Sequence, residues 1–103
     1  MNTIKEMNVD PKSATDFAYY YKQTLSAPGY GDVIRIPGGR LNCIAHTLDG
    51  TGSVEVTAYP LEDVIADTAL WETLPSDVEV LSSVTAIRQL NVSGTTVLNV
   101  RCQ

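Results

Sequence analysis

Basic residues are scarce in this chain: seven Lys and Arg stand against twelve Asp and Glu over 103 residues, a formal charge of −5. Those seven are scattered, so there is no basic stripe of the kind that neutralises a phosphate backbone. Nucleic acid and anionic membrane are therefore poor partners. Long apolar runs are also missing. Nothing approaches the roughly 18–20 residues a membrane helix needs, and residues 1–6 lack the charged-then-apolar order of a signal peptide. The expectation is a protein made and kept in a cytosol.

Metal-binding and nucleophilic residue types are nearly as rare, with two cysteines, Cys43 and Cys102, and one histidine, His46. Structural zinc takes four Cys or His ligands, so these three cannot hold it unaided. Each cysteine falls in an alternating apolar pattern where a thiol behaves as a small hydrophobe, and two buried free thiols are expected ahead of a disulfide in a reducing compartment. His46 sits within a predicted strand and reads as an ordinary strand residue rather than a catalytic base. No Gly-x-Ser-x-Gly turn occurs. The Asp49 loop lacks the repeated ligands and closing Glu of a calcium loop. Gly29-Tyr30-Gly31 and Pro37-Gly38-Gly39-Arg40 have neither the lysine nor the following helix that makes a glycine loop a phosphate cradle. Neither a catalytic site, a metal nor a cofactor is expected.

What the chain does have is enough apolar residue to fold: 44% hydrophobic against 18% charged is a globular composition. Its length suits one domain. The aromatics are unevenly spread, because the first thirty-odd residues hold four of the five tyrosines, the only phenylalanine and both methionines. Asp10-Pro11 makes a plausible helix start. Ala14, Phe17, Tyr21 and Leu25 then recur at spacings of three and four, which predicts a short amphipathic helix over 11–25. The run Tyr19-Tyr20-Tyr21 argues the other way, since consecutive aromatics favour extended chain. Proline and glycines over 26–32 end the segment as a linker would, so residues 1–32 read as an N-terminal arm.

Beyond Asp32 the pattern has period two, in short β-rich runs separated by turn residues. Val33-Ile34-Arg35-Ile36 is the first. Over 41–48, Leu41, Cys43 and Ala45 fall on one face and Ile44, His46 and Leu48 on the other. Asp49-Gly50-Thr51-Gly52 then reads as a hairpin turn into Val54, Val56 and Ala58. Residues 60–75 form an irregular crossing whose Leu61, Val64, Ile65, Leu70 and Trp71 can dock on the domain, as a short helical turn or a sheet-to-sheet connection. Residues 77–81 give another strand. With Ser93-Gly94 as a two-residue turn, 84–92 and 95–102 form a closing hairpin that pairs Ile87 with Val100 and Gln89 with Leu98. Ile87, Leu98, Val100 and Cys102 then face the core, and Arg88, Asn99 and Arg101 face out. The fold class is mainly β: a small antiparallel β-sandwich or barrel-like domain over 33–103, preceded by the arm.

Two groups of residues are candidates for binding. Trp71 is either a core anchor or a flat platform for a sugar ring or protein groove, with the core favoured by the apolar run before it. Phe17, Tyr19, Tyr20, Tyr21 and Tyr30 form the stronger group, either folded back on the domain or docked on a neighbour. Glu62, Asp63, Asp67 and Glu72 around the crossing read as a solvated face.

Gly52-Ser53-Val54-Glu55-Val56-Thr57, Ala66-Asp67-Thr68-Ala69-Leu70-Trp71, Val84-Thr85-Ala86-Ile87-Arg88 and Val92-Ser93-Gly94-Thr95 occur in that order. Over roughly 33–102 this resembles the small β-sandwich structural proteins of tailed bacteriophages, which serve as capsid decoration or cement proteins and as tail or fibre modules. The resemblance implies a non-enzymatic virion protein, a homo-oligomer or present in many copies on a shell. Its partner would be the major capsid protein or another virion protein, reached by the arm and the sandwich edge. The alternative is a carbohydrate- or receptor-binding module of a tail fibre.

Overall fold

The computed structural model describes residues 4–11, 17–36, 42–48, 50–74, 78–81 and 84–102. Their alternating sequence gives strands in two sheets. The six-stranded sheet contains β1 (Ile4–Lys5), β4 (Gly29–Tyr30), β5 (Val33–Arg35), β7 (Thr51–Thr57), β8 (Glu72–Thr73) and β10 (Ala86–Ser93). Its order is β1-β5-β10-β7-β8, with β4 also paired to β10. The five-stranded sheet runs β2 (Asn8–Pro11), β3 (Phe17–Leu25), β11 (Thr96–Cys102), β6 (Asn42–Leu48) and β9 (Val78–Leu81). All pairings are antiparallel except β1 with β5. The two sheets are packed and neither is closed, so the fold is a small β-sandwich and not a barrel.

The core lies between the sheets. Ile34, Val54, Val56 and Ile87 from one side meet Leu98 and Val100 from the other, with Met7 and Ile36 beside them and Tyr19, Tyr21, Leu74 and Val84 packed around. A second, smaller cluster of Val33, Val64 and Ala86 gathers Ile4, Leu61, Ala69 and Trp71. Val33 and Ala86 each precede a core residue on their strands, so this cluster lies on the outer face of the six-stranded sheet. There α1 (Leu61–Ala66) covers it. The crossing is thus a short helix that docks through Leu61 and Val64, while Ile65 and Leu70 stay exposed.

The helix expected over 11–25 is not there. Residues 17–25 form one strand, and Pro11, expected to open the helix, instead closes edge strand β2, where its missing N–H is tolerated. Residues 12–16 of that expectation lie outside the described residues. The ambiguity has a simple origin: Phe17, Tyr21 and Leu25 are spaced by four, and a period of two places them on one face as well as a period of 3.6 does. Tyr19 decides, because it joins Tyr21 against the core while Tyr20, Lys22 and Thr24 are exposed. Nor do residues 4–32 hang off the domain as an arm. They supply β1 and β4 to one sheet and β2 and β3 to the other, and β3 is matched to β11 over seven positions from Leu25↔Thr96 to Tyr19↔Cys102.

The two expected hairpins are corners between sheets. Strands β6 and β7 lie in different sheets, as do β10 and β11. Ile87 therefore pairs with Val56 rather than Val100, and Leu98 pairs with Gln23 and His46 rather than Gln89. Glycine-rich turn chemistry serves a corner as well as a hairpin, so the turn residues could not distinguish them. The facing holds where side chains are described, with Ile87, Leu98 and Val100 buried and Asn99 exposed; the side chains of Arg101 and Cys102 lie outside those described. Cys43 pairs with Arg101 and Cys102 with Asn42, one register step apart on neighbouring strands.

Three sheet-to-sheet crossings meet at one end, at 26–28, Gly50 and 94–95. Asn91, buried on the core side of β10, holds two of them. Its amide nitrogen donates to the carbonyls of Ala27 at 3.0 Å and Gly94 at 2.9 Å, with Leu25 O at 3.4 Å. Neighbouring Gln89 donates to Gln23 O at 3.1 Å. Asn91→Leu keeps the branched outline of the side chain and removes these donors, so it is expected to cost about 2–3 kcal/mol. Chemical denaturation should read this as a lower midpoint at unchanged slope, and a shift below about 0.5 kcal/mol would contradict the clamp.

Candidate functional site

The sequence-predicted aromatics do not act as one group. Tyr19 and Tyr21 are half-buried against the core, and Tyr20 stands exposed on the outer face of the five-stranded sheet. Phe17 opens β3, and its side chain lies outside what the structure describes. Tyr30 is elsewhere, in β4 at the side of β10, and 54% exposed. Trp71 is half-buried against the cluster under α1, partly the anchor and partly the surface residue that its sequence context allowed.

What brings Tyr30 and Trp71 together is Arg88. Alternation along β10 sends Ile87 and Gln89 inward and Arg88 outward, and register places it opposite Glu55 of β7. The guanidinium Nε and Nη2 donate to Glu55 Oε1 at 2.8 and 2.7 Å. Tyr30 and Trp71 then stack on the same guanidinium, its carbon 4.2 Å from one ring centroid and 4.1 Å from the other. The Tyr30 hydroxyl donates to the second oxygen of Glu55 at 3.4 Å, closing the group.

Each contact explains another. Only 15% of the Arg88 side chain and 14% of Glu55 remain exposed, and a charge so covered persists when it is paired and hydrogen-bonded. The two ring faces add cation–π attraction of about 0.5–2 kcal/mol each. The result is a fixed aromatic–cation–aromatic stack on the outer face of the sheet. It offers rigid contact area with the conformational entropy of a long arginine already lost.

Sequence reasoning placed Arg88 on the outer face but missed its partners. Glu55 belongs to β7, which pairs with β10 only because the two presumed hairpins are corners. Glu62 and Asp63 lie in the first turn of α1 over the same face, whereas Glu72 pairs with Val56 and so turns to the core side of edge strand β8. Asp63 accepts from the Thr68 hydroxyl at 3.2 Å, and Glu62 and Glu72 are exposed. Among the described residues no group of three or more His, Cys, Asp and Glu is placed to hold a metal ion, and no helix is long and apolar enough to cross a membrane.

No family model, curated protein or solved structure matches this chain.

Proposed function

We propose that the protein is a non-enzymatic binding domain that docks on another protein through the outer face of its six-stranded sheet. The observation that carries this reading is the stack of Tyr30 and Trp71 on Arg88. Trp, Tyr and Arg are the residue types enriched where a few side chains dominate binding energy. Here they are already ordered by contacts within the domain, so little side-chain freedom remains to be lost on association. The binding surface is therefore this face and not the tyrosine run of β3, two of whose rings are spent on the core.

The resemblance of the sequence to tailed-phage sandwich proteins supplies the setting: a capsid decoration or cement protein, in many copies, seated on the major capsid protein. Such a protein stabilises a shell by mass action, by about 2.7 kcal/mol at a hundredfold excess over its dissociation constant. Added to undecorated shells of the phage that encodes it, the wild-type domain is expected to raise their melting temperature. Tyr30→Ala should weaken that effect tenfold or more in the concentration required. An unchanged melting curve with the wild-type domain would overturn the shell reading. Glycan binding that depends on Tyr30 and Trp71 would point to the tail-fibre alternative.

A further inference from the structure

We propose that the partner presents a basic segment to this face, one in which Lys or Arg side chains flank apolar anchors. The inference rests on the outer face of the six-stranded sheet being the binding surface, and it adds the chemistry of what binds there.

Exposed apolar side chains gather on this side of the molecule. Tyr30, Leu70 and Val92 are each more than half exposed, and Tyr59 and Ile65 stand out before and within the crossing. Charge is as one-sided. Residues 50–74 carry Glu55, Glu62, Asp63, Asp67 and Glu72 and no Lys or Arg at all.

The one cation at the centre of the face does not offset this. Arg88 is already matched by Glu55, and Arg35, on the same face of β5, by Glu6 at 3.3 Å. Glu62 and Asp63 ride on the helix that packs with Trp71 over one cluster, Glu62 exposed and Asp63 half-buried. A neutral or acidic partner covering the apolar stripe would strip water from these carboxylates without giving them a counter-charge. A second copy docked face to face would set carboxylate against carboxylate. A segment with apolar side chains over Tyr30, Leu70 and Val92, and basic ones over Glu62 and Asp63, meets both halves of the surface.

Trp71 is the only tryptophan and lies inside the surface, so its fluorescence reports occupancy directly. The probe is a short tryptophan-free amphipathic peptide of lysine and leucine, set against the same peptide with glutamate for lysine. The lysine peptide is expected to shift Trp71 emission, with affinity falling about tenfold as salt rises from about 50 to 500 mM. The glutamate peptide should leave the emission unchanged. Glu62→Lys should bind the lysine peptide at least about fivefold more weakly, with its thermal unfolding as in wild type. Lys22→Glu, on the outer face of the other sheet, should bind as wild type does. Silence of Trp71 towards the lysine peptide, equal binding of the two peptides, or full affinity in Glu62→Lys would each overturn the proposal. Loss of this result with shell stabilisation intact would remove the basic segment alone. The reverse outcome would remove the shell and leave the surface.

Discussion

Removing residues 1–32 is expected to leave a chain without a cooperative fold. The deletion takes away β1, β2, β3 and β4, and so strips strands from both sheets. The largest loss is β3, whose seven paired positions cover one whole side of β11. With it go Tyr19 and Tyr21, which pack against the core, and Met7, which is part of it. Burying each such side chain is worth about 1.5–3 kcal/mol. Three of them alone approach the roughly 5–15 kcal/mol by which a domain is stable at all. The remainder would also bare the full edge of β11 as a template for aggregation. Far-UV circular dichroism and a thermal scan decide the matter: a sigmoidal transition in residues 33–103 near that of the whole chain would mean that the first four strands are accessory after all.

That outcome depends on which parts of the sequence were legible. Facing was legible, because it follows from local alternation: Val54, Val56, Ile87, Leu98 and Val100 are core residues on a period of two whichever strands they pair with. Pairing was not, because it is settled by contacts across the whole chain. Ser93-Gly94 and Gly50 are turn residues in a hairpin and in a corner alike, and the pairing of β7, β4 and β5 with the sides of β10 leaves no place for β11 in that sheet. The helix over 11–25 failed for a different reason, since a spacing of four residues satisfies both periods, and the neighbour that distinguishes them is Tyr19.

The candidate site was legible only in pieces. Tyr30 and Trp71 were visible as aromatics, and Arg88 as an outward-facing residue. Nothing local connects positions 30, 55, 71 and 88, which meet because β4 and β7 flank the same stretch of β10 and the crossing returns beside them. Their association is a property of the sandwich topology. This also explains why the binding face and the tyrosine run separate: β3 is drawn into the other sheet, where its alternate rings become core.

The corners that defeated the pairing expectation make the second large prediction. Gly50 and Gly94 come together where β6 passes to β7 and β10 passes to β11, and the Gly50 amide donates to Thr95 O at 2.9 Å. A Cβ on Gly50 would overlap the carbonyl oxygen of Ser93 and lie 2.9 Å from Gly94 Cα. Both obstacles are backbone, and the backbone of Gly94 is held by its own left-handed conformation and by Asn91. Gly50→Ala is thus expected to push the corners apart, break the amide bond and loosen the Asn91 clamp, at a cost of about 3 kcal/mol or more. For a domain of this size that lowers the melting temperature by roughly 12–24 °C. Gly29→Ala provides the contrast: its φ of +130° is unfavourable for alanine, yet nothing lies within 4 Å of the added carbon, so only the conformational cost of about 1–2 kcal/mol applies. Hydrogen exchange should show the same ranking, with protection of the residue-50 amide lost in Gly50→Ala and kept in Gly29→Ala. If Gly50→Ala melts within a degree or two of wild type, the two corners do not touch and the crossing of strands between the sheets is wrong at this end.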